Sequence, residues 1–451
     1  MAGDAVAENK PLHLPSRFGD LPGWWSWIRL DDACDGVFDC PHSTPRLADT
    51  GPFVVRSQDI ITGVFRTEEA AHVSEETYNE RTSRVIPARG DLLYSREGTY
   101  FGIAAQVPER TRVCLGQRMV LIRPKSGVVD FRFLCHWLNS PIMASHIHGY
   151  RDGTVAERLN LPTIRALPVL VPPLPEQRAI ANILGTLDDK IELNRRMNET
   201  LEEIAQALFR SWFVDFDPVR ANAEGRDPGL PKSIANLFPD RFENSVLGEI
   251  PAEWRVGAFG DVAENPRRGV SPSEIESSTP YIALEHMPRR CIALSDWGIA
   301  DGLESNKFEF KRGEILFGKL RPYFHKVGVA PLDGICSTDI VVVAPKIDKW
   351  FGFVLGHVSS VAFVDFANAG STGTKMPRTS WGEMARYPVA IPPEKIAEAF
   401  TLRIRPVADR ITAAIHECRA LTELRDLLLP KLIAGEIRVP DAERLRERAN
   451  A

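Results

Sequence analysis

The sequence predicts an α+β chain: two repeated domains of mixed strand and helix structure, separated by two long antiparallel coiled-coil helices, with pseudo-twofold symmetry. Three observations predict it. At 451 residues the chain is longer than one hydrophobic core ordinarily organises. Its halves match when the sequence is slid on itself by about 220 residues, the signature of an internal repeat. After each half, the spacing of apolar residues changes from that of strands to that of a helix.

The repeat is read from residues that share one register. Leu167-Pro168-Val169 and Val171-Pro172-Pro173 fall on Tyr387-Pro388-Val389 and Ile391-Pro392-Pro393, and Gly153-Thr154 falls on Gly373-Thr374. Upstream the offset drifts as loop insertions would make it. Arg89-Gly90-Asp91-Leu92-Leu93-Tyr94 matches Arg312-Gly313-Glu314-Ile315-Leu316-Phe317, each a tight turn feeding a buried strand. Each half opens on a Pro-Trp entry, Pro22 to Trp24 and Pro251 to Trp254, and closes on a Pro-Pro exit.

In chain order, residues 1–18 read as an N-terminal tail and 19–173 as the first domain. Residues 174–215 are the first spacer helix, because Ile180, Leu184, Leu187, Ile191, Asn194, Asn198, Leu201, Ala205, Leu208 and Trp212 alternate in steps of four and three. The segment 216–247 is rich in Asp, Pro, Gly and Asn, but Phe216, Ile234, Leu237, Phe238 and Phe242 mark it as an ordered connector. Residues 248–393 repeat the domain. Residues 394–436 repeat the helix, with Phe400, Ile404, Val407, Ile411, Ala414, Cys418, Leu421 and Leu428 in the same phase and Arg425 as the charged exception. Residues 437–451 form a charged tail.

Matching stripes should pack on each other. Asn194 and Asn198 are costly at buried seam positions unless paired, and one use of such residues is to fix register. Antiparallel helices would set them opposite Ala414 and Cys418; the alternative is that both face solvent. Pro406 predicts that the second helix begins or kinks there, and Pro430 marks its last turns.

Composition narrows function. A hydrophobic share of 44% with 25% charged residues describes a folded chain. The net charge of -5 excludes indiscriminate coating of nucleic acid, so any such role needs local basic surface. The seven cysteines include no CxxC and no Cys/His cluster at zinc spacing, which predicts free thiols in a reducing cytoplasm. No apolar leader or membrane-length run is read, so neither export nor a membrane partner is expected.

Catalytic signatures are missing too. There is no GxxxxGK[ST] phosphate loop, and the strings at Val171-Pro172-Pro173 and Ile391-Pro392-Pro393 lack the polar first residue of an amino-methyltransferase loop. Glu314 to Lys319 resembles a nuclease metal string only loosely, and Glu314 matches Asp91 at a recurring turn where backbone hydrogen bonding suffices. No catalytic residue, metal ligand or cofactor is expected. What recurs is basic and hydroxyl chemistry.

Arg81, Arg84, Arg89, Arg96, Arg110, Arg112 and Arg118 crowd one stretch of the first half, and Lys307, Lys311, Arg312, Lys319, Arg321 and Lys326 the matching stretch of the second. Loops at Arg151, Thr154 and Arg158, and at Thr372, Thr374, Lys375 and Arg378, add hydroxyls and further cations. The candidate DNA contacts are therefore Arg96, Arg151, Thr154, Arg158, Lys319, Arg321, Lys326, Thr372, Thr374, Lys375 and Arg378, since phosphates and guanine edges both take such groups. For the glycines of those loops, a plain turn before a strand explains them equally well.

Several strings resemble the specificity subunits of type I restriction-modification enzymes. They are Pro172 to Ala181 (PPLPEQRAIA), Leu187 to Asn194 (LDDKIELN), Leu208 to Val219 (LFRSWFVDFDPV), Leu237 to Phe242 with Leu247 to Pro251, and Leu427 to Ile437 (LLLPKLIAGEI). Gly313 to Tyr323 (GEILFGKLRPY) is similar to a string of that family's variable domains. The resemblance implies a non-catalytic subunit in which two target-recognition domains read an asymmetric, bipartite double-stranded DNA target. It implies as partners two modification subunits carrying the methyl-donor site and two restriction subunits that translocate DNA. Glu394-Lys395-Ile396 departs from the Leu-Pro-Glu-Gln of the first exit, as does Pro406, and local packing is open there. The competing reading is a stand-alone DNA methyltransferase or nuclease with unrecognised motifs.

Overall fold

The computed structural model describes residues 14–15, 23–67, 70–98, 101–148, 158–373, 376–437 and 439. Two compact units emerge, one of residues 1–189 with 421–451 and one of residues 190–420, so each unit owns part of both long helices.

In the first unit a four-stranded sheet runs in the order Cys34–Asp39, Met119–Pro124, Leu92–Ser95, Ala104–Gln106. Its two central strands are mostly apolar where buried, Leu92, Leu93, Val120, Leu121 and Ile122 having no exposed surface and Ser95 being the buried polar exception. Helices Phe131–Leu138, Pro141–His148 and Leu161–Arg165 follow. Asp130 caps the first of them through the N–H groups of Arg132 and Phe133, and Asn160 caps the third. The entry strand Ser26–Arg29 pairs antiparallel with the exit strand Pro168–Val171, and Trp137 locks the exit by donating to the Pro168 carbonyl at 2.9 Å.

The second unit repeats this element by element. Its four-stranded sheet runs Ala263–Glu264, Ile340–Pro345, Ile315–Gly318, Val327–Val329. Helices Phe351–Val358, Val361–Ala369 and Trp381–Met384 follow, and Arg255–Ala258 pairs with Pro388–Ile391. A five-stranded sheet through Lys307–Phe310 and Gly334–Cys336 is packed beside it. The connector is ordered: helices Asp217–Ala223 and Lys232–Ala235 and the hairpin Phe242–Ser245/Gly248–Pro251 bring Phe216 and Phe238 into the core with Trp212 and Trp254.

The long helices are Leu174–Phe213 and Glu394–Ile433, 40 residues each. Within the second unit the Cys418 thiol meets the Ile191 carbonyl, Asn194 meets Glu417, and Arg410 meets Met197, so partners descend as numbers rise and the pair is antiparallel. Ile180, Leu184, Leu187, Ile404, Ile411, Leu421 and Leu428 are buried; Ile191, Leu201, Leu208 and Val407 are partly so. Asn194 and Asn198 are 1% and 7% exposed, which removes the solvent-facing alternative. Asn194 donates to Glu417 at 2.8 Å, and Glu417 also holds Lys190 at 3.2 Å. Within the first unit the charged seam residue Arg425 is met by Asp188 at 2.8 Å.

Two local expectations are corrected. The second helix does not begin at Pro406 but runs through it from Glu394; Pro406 and Leu402, whose carbonyl loses its helical donor, are both exposed residues on the outer face of the helix. The irregular second exit is well packed. In the first unit, fully buried Gln177 bonds Val128 and Pro172 carbonyls and the Asp130 N–H. Its counterpart Ala397 lies with Ile396 in an apolar core, and Thr401 supplies the polar tie to Lys349 and Gly352 instead.

Candidate nucleic-acid interface

Each unit builds the same backbone junction where a central strand ends. The N–H of Arg96 donates to the Arg118 carbonyl at 3.0 Å, and that of Lys319 to the Asp339 carbonyl at 2.9 Å. The carbonyls of Arg96 and Lys319 accept from Leu159 and Thr379, at 2.8 and 3.0 Å. Isolated bridges then pair Glu97 with Arg158 and Leu320 with Arg378. Four residues singled out from the sequence, Arg96 with Arg158 and Lys319 with Arg378, thus converge at equivalent places.

The side chains at the two junctions differ. In the first unit Arg96 is 16% exposed and paired with Asp39 at 3.1 Å, with His42 3.5 Å from the same carboxylate. Arg118, held in the left-handed region at φ 71°, pairs with Glu97 at 3.3 Å. Arg158 is exposed. The first junction therefore neutralises much of its own charge.

The second is more open. Arg378 pairs with Asp339 at 2.9 Å while half its side chain stays exposed. Lys319 has no ion-paired or hydrogen-bonded side-chain partner among the described residues; burial pushes its ammonium pKa down, Asp339 pulls it up, and Arg378 and Arg267 push it down again. Arg321 sits in the left-handed region at φ 52°, donates its N–H to the Pro377 carbonyl at 2.7 Å, and leaves its Nε without a partner among the described residues. Thr372 is exposed and pairs through its backbone with Arg378. Arg151, Thr154, Thr374 and Lys375 lie outside the described residues.

Lys326 points elsewhere: its ammonium donates to the Leu284 carbonyl, and burial pushes its pKa down. The wider basic stretches thin out as well. Buried Arg81 is spent on the carbonyls of Leu115, Ser43 and Pro41, Arg112 pairs with Glu75, and Lys307 donates to Ser305. Three arginines missed from sequence take their place near the second junction. Arg267 and Arg290 hold left-handed φ angles of 47° and 53°, and the Arg289 guanidinium lies 4.2 Å from the Phe324 ring. Strained conformations of this kind cluster at functional sites. The doublets Arg267-Arg268 and Arg289-Arg290 were visible, yet Arg268 turns inward to Glu314, and nothing in the sequence separates such roles.

No group of His, Cys, Asp and Glu among the described residues has metal-binding geometry. The carboxylate of the nuclease-like string is occupied structurally. Glu314 takes both guanidinium nitrogens of Arg268, at 2.9 and 2.6 Å, and the Lys311 N–H at 2.7 Å. Asp91 does the same with Arg123 and the Ala88 N–H, which is the turn role the repeat implied. Among the described residues no single helix is long and apolar enough to cross a membrane.

Residues 53–203 match the model of the type I restriction modification DNA specificity domain. The chain is 26% identical over 381 residues to the MjaIX specificity subunit of Methanocaldococcus jannaschii, covering 82% of each chain. It is 27% identical to the HindI specificity subunit of Haemophilus influenzae, covering 77% of this chain and 87% of that one. A crystal structure of a type I system S subunit from M. genitalium matches in fold with a TM-score of 0.54 at 13% identity, covering 93% of this chain and 98% of that one. Over residues 53–203, and more distantly over most of its length, the chain is thus similar to the specificity subunits of type I restriction enzymes.

Proposed function

We propose that this chain selects the DNA on which type I modification and restriction act, carries no reaction itself, and works in the cytoplasm. Residues 19–173 and 248–393 are its two target-recognition domains, each reading one half of an asymmetric bipartite target. Segments 174–215 and 394–436, joined through the connector 216–247, set the gap between half-sites and receive two modification and two restriction subunits. The observation that carries this reading is the recurrence of one cation-bearing backbone junction, Arg96 with Arg158 and Lys319 with Arg378, in two units that share a four-stranded sheet and an entry–exit strand pair.

A single domain reading a few base pairs binds weakly. Tethering two makes the second contact intramolecular and multiplies selectivity. A 40-residue helix is about 60 Å long at about 1.5 Å per residue, enough to bring two readers to grooves about one turn apart.

The test exchanges residues 248–391 for those of another family member and maps the methylated sequence after adding the modification subunit. One half of the target should change while the other stays. Change in both halves, or methyl transfer by the purified chain alone, would refute the proposal.

A further inference from the structure

The two repeats treat one buried strand edge differently. In the first unit Ser95 donates to the Ile103 carbonyl, and the next pair in that antiparallel ladder is Tyr94 with Ala104. Hydrogen-bonded and non-bonded pairs alternate, so Ala104 directs its N–H and C=O outward. Both groups are satisfied there. Asn139, the residue that ends helix Phe131–Leu138, accepts from the Ala104 N–H at 2.9 Å and donates to its carbonyl at 2.8 Å, while Gly63 donates to the same carbonyl.

In the second unit the corresponding residue is Val327. Gly318 donates to the Lys326 carbonyl and Phe317 pairs with Val327, so by the same alternation Val327 also points its amide groups outward. The two caps are gone. Position 139 becomes Ser359, whose hydroxyl turns back to the Leu355 carbonyl. The N–H equivalent to that of Gly63 belongs to Ile292 and is taken by the buried Glu202 carboxylate at 2.9 Å, which also holds the Ala293 N–H and the Cys291 thiol. Val327 is 2% exposed, and its outward N–H and C=O have no partner among the described residues.

Val327 lines a cavity of about 490 Å³ within the second unit, together with Phe209, Leu355, Phe400 and Ile404 and with the charged Glu202, Arg210 and Arg290. A donor and an acceptor side by side on a largely apolar wall favour one chemistry. Leaving both unpaired away from water is unfavourable, and a group that offers the complementary pair removes that penalty.

We propose that this cavity binds a carboxamide carried on an apolar frame, its C=O accepting from the Val327 N–H and its NH₂ donating to the Val327 C=O. The first unit supplies that amide from within as Asn139; the second takes it from outside. The amide arrives as a free ligand or as an Asn or Gln side chain of a bound protein.

Benzamide is the probe. It should raise the thermal midpoint of the full chain saturably, whereas acetophenone, which is neutral and keeps the carbonyl but lacks the donor, should not. Ser359→Asn places the amide of the first repeat in the second, so the variant should melt higher than wild type and bind benzamide at least about tenfold more weakly, the equivalent of about 1.4 kcal/mol. Ala362→Trp, at an exposed lining position, should block the probe without touching the core. Absence of a saturable benzamide effect on wild type, or an undiminished one in both variants, would overturn the proposal.

A second arm separates the sources. Loss of modification-subunit binding by Ser359→Asn assigns the amide to that partner, and unchanged binding assigns it to a free ligand. Only this arm rests on the function proposed above, and failure with benzamide leaves that function intact.

Discussion

Removing Lys319 and Arg267 together should change how DNA binding responds to salt, and removing Arg96 should not. The difference is worked from their partners. Each phosphate neutralised by a protein cation contributes about 0.9 to the slope of log K against log salt, which is about 3.5-fold in affinity between 50 and 200 mM. Lys319 and exposed Arg267 have no side-chain partner among the described residues, so both charges are available to phosphate. The double variant Lys319→Ala/Arg267→Ala should therefore lose about 1.8 units of slope, and wild type should lose about 12-fold more affinity than the variant across that salt range. Arg96 is already paired with Asp39 and only 16% exposed, so Arg96→Ala should lower the melting temperature while leaving the slope within about half a unit. Fluorescence anisotropy with a labelled duplex at five salt concentrations reads the slopes, and circular dichroism verifies folding. Equal slope changes in the two variants, or none in the folded double variant, would refute the assignment of free charge to the second junction.

Acidification should weaken the second unit through His357, whose ring lies among Phe353, Phe209 and Tyr387 and whose pKa burial pushes down from 6.5 to about 3. A base with a lowered folded-state pKa contributes stability that is complete above about 6.5 and lost as pH falls toward 3; this share is about 2 kcal/mol between pH 7.5 and 5. Urea titrations at both values should show that wild type loses this share and His357→Phe does not; equal losses would exclude His357 as the source. Asp188→Ala should cost about 1–2 kcal/mol because Arg425, a side chain 18% exposed, loses its partner on the facing helix and keeps only Asp426, whereas in an Arg425→Leu background the same change should cost far less. Gln177→Ala should cost about 2–4 kcal/mol by orphaning the Val128 and Pro172 carbonyls and the Asp130 N–H, and a thermal shift under about 2 °C would contradict it.

The architecture was legible because it is written in periodicities that survive local detail. The offset of about 220 residues that aligns the Pro-Pro exits also aligns Leu174–Phe213 with Glu394–Ile433, and the heptad phase names the faces that meet. The site was legible only as a location. Arg96 and Lys319 occupy equivalent positions, but whether each charge is free depends on acids that arrive from elsewhere: Asp39 lies 57 residues from Arg96. Lys326 looked outward in sequence and is anchored to Leu284, 42 residues away. Local sequence carries no record of such closures. Pro406 misled for the opposite reason, since the rule that proline stops helices is a local preference, and the apolar face of Glu394–Ile433, packed through Phe400, Ile404 and Ile411, carries the helix past it.

What the two units keep and what they let drift follow one physical division. Asp91 and Glu314 both accept a backbone N–H three residues back and both take an arginine in two-pronged fashion, yet the arginine is Arg123 at the end of a central strand in one unit and Arg268 from a neighbouring sheet in the other. The turn needs a satisfied carboxylate; it does not need a particular donor. The junction behaves alike: Arg96 and Lys319 keep their backbone bonds to Arg118 and Asp339, while those two positions differ in the sign of their charge. A scaffold fixed through main-chain hydrogen bonds leaves its outward side chains free to vary without loss of fold. That freedom is what the proposed reading of two unlike half-sites requires, because sequence is read by side chains that reach base edges and not by the backbone that positions them.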